Sequence, residues 1–244
     1  MNSPPIAKPS FDTYTLRARI LPTLIVGLPA GLATLAWFPK TADWWGPISG
    51  LVMGAGAVAL LAQFGRDWGK RKQPRLYQAW GGEPTTRMLR HRGVSNTVLV
   101  QQRHKKLQEL LPDQKIPTAE EELANPERAD EVYEAATAIL REKTRDKKRF
   151  PLVFEENCNY GFRRNLWGMK PLGTFAAVVG TAAVAALIVM HYRYANVVMS
   201  SITPTAAVLN GLLLLAWLFW VTPAWVKIAA DAYAERLLAA SDTL

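Results

Sequence analysis

The stretch PLGTFAAVVGTAAVAALIVM, Pro171 to Met190, decides how the chain is read. It carries no charged side chain over a length close to the roughly 20 residues that cross a bilayer core as a helix. A helix on the surface of a water-soluble domain needs a polar face and seldom stays uncharged that long. Three further windows share the property: Ile20 to Phe38, Gly46 to Phe64 and Thr205 to Val226. The fold class expected is an α-helical integral membrane protein with two transmembrane hairpins, residues 20–64 and 171–226. Pro39 to Trp45 and His191 to Pro204 are their connectors.

Outside these windows the chain is strongly basic. Its 244 residues have a formal charge of +9, yet a mean hydropathy of only +0.01, because long apolar runs alternate with a charged middle. Residues 65–170 hold 22 Lys and Arg against 15 Asp and Glu, so most of the positive charge is there. The short connectors carry only Lys40 and Arg193. Lys8, Arg17 and Arg19 precede the first window, and Arg66, Lys70, Arg71, Lys72 and Arg75 follow the second. Loops rich in Lys and Arg stay in the cytoplasm. The expectation is a multi-pass membrane protein with a cytoplasmic tail (1–19), a small, mainly α cytoplasmic domain inserted between the hairpins, and a cytoplasmic C-terminal helix (227–244). Such a domain suits an anionic partner: lipid, nucleic acid and nucleotide all qualify.

Within the domain, Pro74 is expected to end the second helix, and Gly81-Gly82-Glu83-Pro84 to form a turn. Short helices are expected over Thr85 to His91 and Thr97 to Leu111. Asn125-Pro126-Glu127 reads as a helix start, with Asn as cap and Pro at the first position, running to Lys143. Phe150 to Phe154 reads as a strand or buried extended segment, and residues 156 to 171 as a linker into the third window.

Three clusters bear on function. Arg87, Arg90, His91 and Arg92 follow the Gly81-Gly82 turn, and Lys105 and Lys106 lie on the next helix. Arg forks match phosphate oxygens, so these six are the candidate ligand contacts. Equally, they fit a solvated or headgroup-facing surface. Tyr160, Arg163, Arg164 and Trp167 crowd polar and aromatic groups into the linker, as headgroup anchors or as an elbow coupling domain to helices. Gly27 and Gly31, and Gly50 and Gly54, are spaced for close helix contact within one chain or between copies.

Catalytic motifs are absent: there is no H-E-x-x-H, G-x-S-x-G, G-x-G-x-x-G or phosphate-binding G-x-x-x-x-G-K-[ST]. Cys158 is the sole cysteine, which rules out an internal disulfide or a thiolate zinc cluster. No catalytic residue, metal or cofactor is expected. Gln63 and Asn210 are the only strongly polar side chains in the windows, which speaks against a charged transport site.

In its order of parts, two helices, a basic insert and two more helices, the chain resembles the four-transmembrane effector families encoded beside nucleotide-second-messenger synthases in bacterial anti-phage systems. The resemblance implies a homo-oligomeric, non-enzymatic effector. Its domain would sense a nucleotide or oligonucleotide, and its helices would permeabilise the bilayer. A membrane scaffold docking a cytoplasmic protein is the alternative.

Overall fold

A computed structural model describes residues 13–38, 47–93 and 96–244, with the second helix's side chains described from residue 56. The tail 1–12 and the first connector, with Trp44, Trp45 and Gly46, lie outside the described residues. So do the side chains near Gly50 and Gly54. Among the described residues every regular element is helical. Three helices among the described residues are long and apolar enough to cross a membrane: α1 (Thr13–Trp37), α8 (Lys170–Arg193) and α9 (Ile202–Trp220). At 1.5 Å per residue they measure about 28 to 37 Å, which matches a hydrocarbon core of about 30 Å. The second apolar window lies within a longer helix, α2 (Pro47–Trp80).

The chain divides into two compact units. In the first, α1, α8 and α9 pack on one another. Ala33, Ala36, Val184, Leu187 and Ala206 form a buried cluster, and Trp37 Nε1 donates to the carbonyl of Ala183 at 2.9 Å. Glycine sets the spacing, but not at the expected pair: a Cβ on Gly27 or Gly31 would meet nothing within 4 Å. A Cβ on Gly180 would lie 2.8 Å from the Pro29 carbonyl oxygen, and one on Gly173 would collide with the Trp217 ring. Bare backbone at these two sites is what lets the helices close up. Asn210 is fully buried, and neither amide atom has a partner among the described residues.

The second unit joins residues 69–167 to 220–244. After α2 come α3 (Pro84–Leu89), α4 (Thr97–Leu110), α5 (Ala119–Ala124), α6 (Pro126–Lys143) and α7 (Pro151–Gly168). The C-terminal helix α10 (Pro223–Ala239) completes it. Its core takes Leu89, Leu107, Tyr133, Leu140 and Phe150 from the insert, and Leu237, Leu238 and Ala240 from the C-terminal segment. The tail read from sequence as a separate helix is therefore part of the domain.

Local rules account for most boundaries. Gly81 and Gly82 have φ of 80° and 132°, and their N–H groups donate to the carbonyls of Gln78 and Tyr77. That pattern satisfies the last carbonyls of α2. Asn125 caps α6 through its side chain, with Pro126 at the first position as expected. Thr118 and Glu121 form a capping box on α5.

Four expectations are corrected. The second helix runs through Pro74 to Trp80. An interior proline costs about 3 kcal/mol, and packing offsets it: Leu76 is buried, and Gly69 lies against Asn165. Residues 150–154 are not a strand, because Pro151 opens α7 and no partner strand exists among the described residues. The supposed linker 156–171 is mostly that same helix. The fourth window is interrupted: Thr222 accepts a hydrogen bond from the Trp225 N–H, Pro223 follows it, and a new helix begins.

Gly180→Ala is expected to lower stability by about 1–3 kcal/mol, since the Pro29 backbone cannot give way cheaply. Gly27→Ala should be neutral or stabilising by up to about 1 kcal/mol through helix propensity. Melting temperatures of the two variants in detergent check the contrast.

Candidate functional site

The arginines picked out by sequence are held by carboxylates. Arg90 makes two bonds to Asp130, at 2.8 and 2.7 Å, and a third to the Gly81 carbonyl. Arg92 reaches Glu122 and Asp130, each at 2.9 Å. Arg87 meets Asp231 at 3.3 Å, and Lys227 shares that carboxylate. The His91 N–H donates to Glu122 at 2.8 Å, and its ring nitrogen lies 3.2 Å from the Pro117 carbonyl. Lys106 pairs with Glu109 one turn away, while Lys105 is exposed. Arg87, Arg90 and Arg92, three of the six expected ligand contacts, thus each face a carboxylate. These groups tie α3 and the residues after it to α5, α6 and α10.

Glu122 is the hub of that network. It is 1% exposed and accepts from the N–H groups of His91 and Arg92, from the Arg92 guanidinium and from the Tyr133 hydroxyl. Burial by itself raises its pKa, but these donors more than offset it, and the net shift is downward from 4.5. Nearby, His104 stacks on Tyr133, faces His91 edge-on and lies 2.6 Å from the Leu89 carbonyl. Burial lowers its pKa from 6.5.

The residues assigned to an elbow divide. Arg163 donates to the Trp225 carbonyl at 2.9 Å and lies over the Trp225 ring, and Lys72 sits over Trp167. Tyr160 and Arg164 do something else. Together with Gln73 and Tyr77 from α2, Glu83 and Thr85 from the turn into α3, Arg141 and Asn157, they line a cavity of about 130 Å³ inside the second unit. Tyr233 and Ala234 of α10 close another side.

Arg164 is the unusual member. Only 8% exposed, it donates to Gln73 Oε1 at 2.9 Å and to Asn165 Oδ1 at 3.3 and 3.2 Å, and it lies over the Tyr160 ring. All of these partners are uncharged, and no carboxylate lies within ion-pair distance among the described residues. Burying a charge costs several kcal/mol per ion even after relaxation, and neutral amides recover only part of it. Around it, the hydroxyls of Tyr77 and Tyr160 are 3.3 Å apart, and Gln73 Nε2 donates to the former. Burial raises both phenol pKa values, so both remain protonated donors at neutral pH. Thr85 Oγ1 is buried with no partner among the described residues.

Such a cavity offers a buried cation and several neutral donors, the chemistry that receives an anion. No group of three His, Cys, Asp or Glu that could hold a metal occurs among the described residues. No protein-family model, curated protein or solved structure matches the chain.

Glu122→Gln is expected to cost about 3 kcal/mol, because it leaves Arg92 and the two N–H donors poorly matched. In the intact protein, stability should begin to fall as pH drops below 6.5, where unfolded His104 takes up a proton that the buried ring resists. A second loss should follow below 4.5, as unfolded Glu122 is protonated first. Denaturant titrations across pH check both, and Glu122→Gln should remove only the second.

Proposed function

We propose that the chain is a multi-pass inner-membrane protein whose helical domain outside the bilayer binds a small phosphate-bearing ligand and passes that binding to the membrane helices. The observation that carries the ligand half is Arg164, a buried guanidinium with uncharged partners facing a polar cavity. A charge kept there at such cost is explained by an anion that completes it.

Support for the membrane half comes from composition and from chain path. Three helices meet the length and hydropathy needed to cross, and residues 47–64 of α2 carry no charge before Arg66. Because residues 69–167 and 220–244 share one core, they belong on one side of a bilayer, so α8 and α9 between them cross and return. A second crossing pair, α1 with the first half of α2, makes four spans and keeps the basic domain on the side favoured by its Lys and Arg. The reading is then a ligand-responsive, oligomeric membrane effector that controls permeability, of the kind the arrangement of parts resembles.

Induced expression with a membrane-potential dye tests this reading. The wild-type chain is expected to depolarise cells, while Arg164→Met, inserted to the same level, should reduce the response at least ten-fold. Equal depolarisation by the variant would remove the ligand from the mechanism. Insertion without any depolarisation would favour the scaffold. Protease treatment of intact spheroplasts should spare both 69–167 and 220–244, and cleavage of either from outside would overturn the topology.

A further inference from the structure

We infer that the Arg164 cavity takes a compact zwitterion, its phosphate at Arg164 and an ammonium group a few bonds away at Glu83; this rests on the reading of Arg164 as an anion site. Size is the first argument. Pockets that enclose drug-sized ligands run from about 300 to 1,000 Å³, and this one is about 130 Å³. A phosphate with a short arm fits within it, whereas the rest of a whole nucleotide would lie outside.

Charge is the second. Glu83 lines the same cavity with its side chain 16% exposed. Arg141 occupies only Oε1, at 3.1 Å, and Oε2 has no hydrogen-bond partner among the described residues. The negative charge of Glu83 opposes a simple anion. With Arg164 it gives the cavity lining one cationic and one anionic group, alongside the hydroxyls of Tyr77, Tyr160 and Thr85. The field of Glu83 reaches the two phenols, since after burial it is among the causes that raise the pKa of each. A ligand bearing both charges satisfies both groups, and one bearing only an anion leaves Glu83 repelling it.

The probes are O-phosphoethanolamine, phosphocholine and inorganic phosphate, titrated calorimetrically into the full-length chain in detergent. Phosphoethanolamine is expected to bind at least ten-fold more tightly than either other probe, because phosphocholine has no N–H to donate. Glu83→Gln should collapse that preference towards unity. Arg141→Gln, which frees Oε1, should widen it, a gain that a folding defect would not mimic. Arg164→Met should weaken all three probes. A preference that survives Glu83→Gln, or phosphate binding as tightly as phosphoethanolamine, overturns the zwitterion while leaving the anion site standing. Full binding by Arg164→Met overturns both. Repeating the titration in nanodiscs with and without phosphatidylethanolamine identifies the source: competition by that lipid indicates a headgroup, and unchanged affinity a free molecule. Either result supports the chemistry.

Discussion

Leu89, Leu107, Tyr133 and Leu140 share one hydrophobic core with Leu237 and Leu238, although the apolar helices α8 and α9 lie between them in the chain. Burying each such side chain is worth about 1.5–3 kcal/mol, so the two stretches are held together firmly. A core of this kind cannot assemble across a bilayer. The intervening α8 and α9 are each long and apolar enough to cross a membrane, and they pack on each other and on α1.

The same domain treats its charges in two ways. Arg87, Arg90 and Arg92 are matched by Asp231, Asp130 and Glu122, an arrangement that orders α3, α5, α6 and α10 and uses up the cationic groups that make it. Arg164 is deeper and, among the described residues, meets amide oxygens and an aromatic face. Its position follows from backbone contact: Asn165 rests on Gly69, and the neighbouring guanidinium turns towards Gln73. A larger residue at 69 would push α7 outward and move the cation with it.

How legible the site was in the sequence depended on the range of the interactions. The Asn125-Pro126 cap is readable because it acts within one turn. The break at Thr222-Pro223 carried the same signal, hidden inside an apolar run. The partners of Arg87, Arg90 and Arg92 lie 144, 40 and 30 residues away, the last two reaching Asp130 and Glu122, and no local pattern announces them. Tyr160 and Arg164 stand out in the sequence as crowded polar residues, but spacing alone suggests a linker there. Helical α7 puts them on one side four residues apart, facing Gln73 and Tyr77 at the same spacing on α2.

Sequence by itself determined the apolar helices, the excess of basic residues between them, the capped boundaries and the lack of metal-binding cysteines. These follow from composition and from interactions within a few residues, where the chain's own connectivity keeps the groups together. Tertiary structure decided which arginines are neutralised, which one is left with uncharged partners, and that the last helix belongs to the domain. Those outcomes depend on which distant side chains share a buried space, and burial is a property of the packed chain that no short stretch carries alone.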